Sequence, residues 1–223
     1  MSTENTTTIE PILETCGVSK AFPGVQALRR VDFRVLPGEI HGLVGKNGAG
    51  KSTLMAILMG IQPPSEGLIR IEGQQFKALD PKDAVEAGIA YVPQHVAMMD
   101  SLTVAENILA GHLPKTKLGM IDWKATNQEA SERLDRLGLG MDVTKRVEGL
   151  GVAQQTMLAI AKALFSNAKI IILDEPTASL SRADINLLFG FVESLKKKGA
   201  TFIYISHHLE EVFEICDRVT VLR

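Results

Sequence analysis

The sequence predicts an α/β fold in which a mostly parallel sheet forms the core, an antiparallel β-subdomain precedes it and a helical insertion interrupts it. Three observations carry this reading. Residues 45–52 read Gly-Lys-Asn-Gly-Ala-Gly-Lys-Ser between an apolar run, Ile40–Val44, and an amphipathic stretch, Thr53–Met59. The runs 169–173 and 201–205 are nearly continuously apolar, as parallel strands covered on both faces must be. Val31, Phe33 and Val35, and later Ile69 and Ile71, instead alternate with polar residues, the period of half-exposed antiparallel strands.

Each element follows in chain order. Residues 1–8 are polar and lack the charged-then-apolar pattern of a signal peptide, so residues 1–10 read as a disordered tail ahead of one domain at 11–223. The alternating strands surround the glycine-rich segment, and the cluster Pro63-Pro64-Ser65-Glu66-Gly67 marks a turn before Ile69. Residues from about 101 to 165 are mostly helical by pattern, opening at the capping box Thr103-x-x-Glu106 and carrying Met157, Ile160, Ala161 and Leu164 on one face. The helical subdomain is placed at about 95–165. Between the runs 169–173 and 201–205, Leu188, Phe191, Val192 and Leu195 recur at helical spacing, opened by Ser181-x-x-Asp184 and closed by Lys196–Lys198 and Gly199. That is a βαβ unit. A last strand-like run, Val219–Leu222, comes just before Arg223.

Composition narrows the function classes. Formal charge is −2 from 24 basic and 26 acidic residues, which argues against a domain that sweeps up nucleic acid electrostatically. Cys16 and Cys216 follow no metal or redox spacing and read as ordinary thiols of a reducing compartment. No apolar stretch approaches the ~20 residues of a membrane helix, so work at a membrane would go through a partner.

The chemistry lies in residues 45–52. Glycines let the backbone curl without a Cβ in the way, so that successive N–H groups converge on phosphate oxygens at the positive end of the next helix. Lys51 supplies a charge between β- and γ-phosphates and Ser52 a hydroxyl for Mg²⁺. The second half of the site is Asp174-Glu175 at the carboxyl end of a buried strand, where open α/β sheets bind their ligands. One carboxylate can hold Mg²⁺ or its waters while the other polarises an attacking water.

Five segments then occur in the order found in ABC transporter nucleotide-binding domains: the cradle 45–52, Gln94 after Tyr91-Val92-Pro93, Leu150-Gly151-Val152-Ala153-Gln154 before a helix, Asp174-Glu175-Pro176-Thr177, and Ser206-His207. The chain resembles that family from about residue 11 to 223. It is most similar to the sugar-importing ATP-binding proteins of the ribose, galactose and xylose type, through Lys20-Ala-Phe22-Pro-Gly-Val25-Gln-Ala-Leu28, Gln154-Gln155 before Ile160-Ala-Lys-Ala-Leu164, and Ser206-His207-His208-Leu209-Glu210-Glu211. The resemblance implies a P-loop NTPase core of the RecA-like kind, ATP and Mg²⁺ as ligands, and ATP hydrolysis. It assigns nucleotide contacts to Phe22 (stacked on adenine), Gly45, Lys46, Asn47, Gly48, Ala49, Gly50, Lys51, Ser52 and Thr53. It assigns the metal to Ser52, Gln94 and Asp174, and the chemistry to Glu175, His207 and Gln94. A core-facing strand residue is the alternative for Phe22.

The resemblance also implies partners. Two such domains face head to tail, in one polypeptide or as a homodimer, and the signature string of one, here with Gly151 and Gln154, covers the ATP of the other. Membrane permease subunits dock near Gln94 and the helical insertion, on the cytoplasmic face of the membrane, and an extracytoplasmic sugar-binding protein acts through them. The usual signature is Leu-Ser-Gly-Gly-Gln; here Gly151 replaces the serine and Val152 and Ala153 the glycines, which weakens that composite site. Ser181 and Lys46 are further departures. The chain is expected to be the first half of a longer tandem protein. Alternatives are a ribosome- or DNA-associated ABC-type ATPase and an ATP-gated binding module with little hydrolysis. Chromosome-associated relatives insert a long coiled coil, and no sustained heptads separate Lys51 from Asp174 here.

Overall fold

The computed structural model describes residues 9–223. Most of the tail expected over residues 1–10 therefore lies outside the described residues. In chain order the elements are β1 (Leu13–Phe22), β2 (Val25–Val35), β3 (Ile40–Gly45), α1 (Lys51–Leu58), β4 (Glu66–Ile71), β5 (Gln74–Phe76), α2 (Pro81–Glu86), β6 (Ile89–Val92), α3 (Val104–Ile108), α4 (Trp123–Leu137), α5 (Val152–Phe165), β7 (Ile170–Asp174), α6 (Arg182–Lys197), β8 (Thr201–Ile205), α7 (Leu209–Ile215) and β9 (Arg218–Leu222). No helix of the described residues is long and apolar enough to cross a membrane.

Two sheets result. β1, β2, β4 and β5 form an antiparallel sheet in the order β2-β1-β4-β5, and β6, β7, β8, β3 and β9 a parallel sheet in the order β6-β7-β8-β3-β9. Alternation along the parallel strands splits their side chains between two cores. Ile170, Ile172, Ile203 and Ile205 pack with α1 and with Phe33, Val35, Ile69 and Ile71 of the antiparallel sheet. Ile171, Leu173, Phe202 and Tyr204 pack on the opposite face with Met157 and Ile160 of α5 and Leu188 and Val192 of α6. The expected division into both-sided and one-sided strands thus holds.

Helix α1 differs from the one-sided helix expected at 53–59. It begins at Lys51 and buries Leu54, Met55, Ile57 and Leu58, because it is clasped between the two sheets. The insertion helices likewise share a core with the sheet, Ala130 and Leu134 of α4 joining the cluster that contains Phe202 and Tyr204. Both sequence-read caps form. Thr103 accepts from the Glu106 N–H at 3.2 Å and Ser181 from the Asp184 N–H at 3.2 Å. At the far end of α6, Gly199 at φ 94° closes the helix while its N–H bonds to the Lys196 carbonyl at 2.8 Å.

Candidate functional site

The glycine loop connects β3 to α1, and its glycines have separate reasons. A Cβ on Gly50 would stand 2.5 Å from Leu28 Cδ2 and 2.6 Å from the Ala27 carbonyl, at a φ of +98°. Gly48, at φ +83°, faces open space, so there the backbone conformation alone calls for glycine. Gly50 caps α1 without a side-chain bond, which leaves the first-turn N–H groups available to an anion. The Lys51 ammonium curls over the loop, donating to the Gly45 carbonyl at 2.7 Å and the Lys46 carbonyl at 3.4 Å. A concave row of amides with Lys51 at its rim and Lys46 beside it suits a polyphosphate.

The acidic half is brought level by strand register. Asp174 of β7 is opposite Ile205 of β8, and Ile205 is opposite Leu43 of β3, two residues before the loop opens at Gly45. Glu175 follows in the left-handed region, φ 45°, with its N–H bonded to the Ile205 carbonyl at 2.9 Å. A non-glycine residue held there costs on the order of 1–3 kcal/mol and persists only where its surroundings over-determine it. His207, two residues past β8, presents Nδ1 to Glu175 Oε1 at 2.9 Å, and its ring lies 4.1 Å from that of His208. Residues 44–49, Glu175 and His207 line one cleft of about 1010 Å³ together with Leu209 and the end of β9.

Asp174 carries a contact that the sequence did not announce. The Tyr91 hydroxyl donates to its Oδ2 at 2.6 Å. Burial, reinforced by that bond and by the Asp174 charge, pushes the phenol's pKa far up, so Tyr91 remains a donor. Among the described residues no three His, Cys, Asp or Glu side chains form a self-sufficient metal cluster. Magnesium carried on phosphates asks for less: one or two oxygen ligands from the protein, with phosphates and waters completing an octahedron. Ser52 at the start of α1 and Asp174 at the end of β7 are hard oxygen donors of that kind. They fit the ion.

The other expected residues lie around this centre. Thr53 continues the first turn of α1. Gln94 is exposed, two residues beyond β6, beside an apolar groove of about 580 Å³ lined by Met59, Ile61, Tyr91, Val96 and Met98 among others. Phe22 ends β1, is 38% exposed, and has the Lys20 ammonium 5.3 Å from its ring centroid. It faces away from the core, contrary to the alternative placement, and it does not line the 1010 Å³ cleft. Gly151 caps α5 and donates its N–H to Gln154 Oε1 at 3.2 Å, and Gln154 borders a different groove with Met157, Leu187 and Phe191. Within a single chain, therefore, neither Gly151 nor Gln154 enters the cleft. Thr177, Ser206 and Glu211 stand in the strings that carry the resemblance but have no assigned role there; with Tyr204 they form a buried hydroxyl–carboxylate cluster behind the Glu175–His207 pair.

The family model described as ABC transporter matches residues 28–178. Among curated proteins the chain is 45% identical over 214 residues to ribose import ATP-binding protein RbsA 2 of Rubrobacter xylanophilus, covering 96% of this chain and 41% of that protein. It is 46% identical to ribose import ATP-binding protein RbsA 1 of Agrobacterium fabrum, again over 96% of this chain and 42% of the relative. The chain thus spans about two fifths of the length of these relatives. Among solved structures, a nucleotide-free ATP-binding cassette from an ABC transporter superposes with a TM-score of 0.81 at 28% identity, over 95% of this chain and 87% of that one.

Proposed function

The chain belongs to the ABC transporter family, and on that premise we propose that it binds and hydrolyses ATP to energise a membrane importer of carbohydrates. The observation that carries this reading is the convergence, at the carboxyl ends of the parallel strands, of the glycine loop with a carboxylate and an imidazole 2.9 Å apart. The loop amides and Lys51 bind the phosphates and hold the terminal one in place. Glu175 takes the proton from a water attacking that phosphate. His207, with Nδ1 toward Glu175, keeps the carboxylate oriented; its Nε2 accepts when the ring is neutral and donates to phosphate oxygen when protonated. Ser52 and Asp174 would hold a Mg²⁺ ion, which when bound would offset the negative charge of the phosphates.

Carbohydrate import comes from the ribose-import relatives. The working unit is a head-to-tail pair of such domains, in one polypeptide or as a homodimer, docked on permease subunits at the cytoplasmic face of the membrane. The apolar groove beside Gln94 is the natural permease contact, because it opens along the outer edge of β6, next to both Gln94 and the insertion. The signature string of the pair is weak here, since Gly151 brings no hydroxyl to the start of α5 and gives its own N–H to Gln154 Oε1. That favours unequal composite sites, with less hydrolysis under this chain's string. Phosphate release by the full-length protein with its permease, with and without a sugar-loaded binding protein, tests the proposal. Sugar-stimulated release is expected. Release indifferent to permease and sugar would point to a non-transport ATPase, and absence of release to an ATP-gated binding module.

A further inference from the structure

Glu211 on α7 is only 8% exposed and takes no direct part in the cleft. Three hydroxyls converge on one of its oxygens: Thr177 Oγ1 at 2.6 Å, Tyr204 OH at 2.8 Å and Ser206 Oγ at 3.4 Å. Its neighbours in this cluster are hydroxyls rather than cations, an arrangement that leaves a buried charge dependent on every one of those bonds. Burial, and with it the Glu211 charge, drives the Tyr204 phenol far up, so that hydroxyl stays protonated and donating. Ser206 Oγ also accepts from the His208 N–H at 3.0 Å, closing a turn around His207.

The placement of the arms matters. Thr177 is two residues after the strained Glu175, and Ser206 is the residue before His207. One buried anion therefore grips both turns whose side chains meet at 2.9 Å in the cleft. A left-handed Glu175 needs its surroundings to hold it, and the Thr177 arm fixes the chain directly downstream. We propose that Glu211 is a positioning residue for Glu175 and His207, locking the turns after β7 and β8 in mutual register. The proposal rests on the catalytic reading of that pair, and it makes a separate geometric statement that can be checked without nucleotide.

Two substitutions cut single arms. Thr177→Val severs the link to the Glu175 turn, whereas Tyr204→Phe removes a bond to the same buried oxygen from within β8 and, with it, only a long 3.4 Å contact to Thr177 Oγ1. In the chain without nucleotide, the ring Cε1–Hε1 NMR signal of His207 is expected to shift in Thr177→Val and Glu211→Ala, to return toward the wild-type position in Glu211→Gln, and to move clearly less in Tyr204→Phe than in Thr177→Val. In the full-length protein, Thr177→Val is expected to lower kcat about ten- to a hundredfold with KM for ATP unchanged. A His207 signal unmoved by Thr177→Val, or moved equally by Tyr204→Phe, would overturn the proposal and leave Glu211 a purely structural role. If Glu211→Ala does not fold, the Thr177→Val and Tyr204→Phe pair decides the question alone. Turnover that survives Glu175→Gln would sink the catalytic reading instead, while the His207 signal still settles the positioning.

Discussion

His207 Nδ1 and Glu175 Oε1 stand 2.9 Å apart although 32 residues separate them in the chain. Each follows the carboxyl end of a strand, and those strands, β7 and β8, are hydrogen-bonded neighbours. An imidazole at this distance can orient a carboxylate, as the base role proposed for Glu175 asks.

Replacing the proposed base should separate binding from chemistry. Glu175→Gln keeps the shape of the side chain and is expected to lower phosphate release about 10²–10⁴-fold in the full-length protein while nucleotide affinity stays within about twofold. Steady-state phosphate release alongside equilibrium nucleotide binding measures both. Lost binding would show that Glu175 is structural.

The two loop glycines should respond unequally to a methyl group. Gly48→Ala meets no neighbour and pays only for its φ of +83°, about 1 kcal/mol or slightly more. Gly50→Ala adds a collision with the Ala27 carbonyl and Leu28 at 2.6 and 2.5 Å, and is expected to cost clearly more, roughly 3 kcal/mol. Urea unfolding of the two variants ranks them; equal losses would mean the loop yields without strain.

Tyr91 occupies an oxygen of Asp174 and also lines the groove beside Gln94. Tyr91→Phe removes the competing donor and keeps the ring. The Mg²⁺ concentration for half-maximal nucleotide binding is therefore expected to fall about tenfold or more, since one hydrogen bond to a charged group is worth about 1.5–3 kcal/mol. A higher Mg²⁺ requirement would show that the hydroxyl instead aims Asp174 at the ion.

Acid should weaken the fold through named carboxylates. Burial raises the pKa of Glu14, but bonds from Arg34 and Arg70 outweigh it and leave the group below its ordinary 4.5. Glu39 is likewise lifted by burial and pulled below 4.5 by His41, the Leu36 N–H and Arg218. Because the folded values are the lower ones, this stability is present above about pH 4.5 and is lost as pH falls through them. Unfolding free energy against pH is expected to drop below that point, and Glu14→Gln to flatten the drop. An unchanged acid limb in Glu14→Gln would remove Glu14 from the account.

What the sequence made legible follows from how strongly each element is constrained. β7 and β8 are covered on both faces, so apart from Asp174 and Thr201 at their ends they are apolar, and Ser181 and Thr103 announce their helices by local capping. β1 was illegible because its alternation breaks at register shifts around Gly17, which sits at φ 60°. β5, three residues long, is too short to show a period. The start of α2 was readable and overlooked, since Asp80 and Asp83 cap it reciprocally at 2.8 and 3.2 Å with Pro81 at its first position. In the site, the loop and Asp174-Glu175 are contiguous strings and were found. The Tyr91–Asp174 contact depends on β6 lying beside β7, and Glu211 looks like one of a solvated acidic pair until α7 is docked. Neither fact has a local signature.

The central claim is that the glycine loop and the Glu175–His207 pair enclose one nucleotide. Titration of the isotopically labelled chain with Mg²⁺ and a non-hydrolysable ATP analogue, followed at the Gly48 and Gly50 amides and at the His207 ring, tests it most directly. All three signals should move along one isotherm, and Lys51→Ala should shift that isotherm to about ten- to a hundredfold weaker binding, the loss of one charge-assisted contact. Loop amides that respond while His207 stays fixed at saturation would contradict the claim.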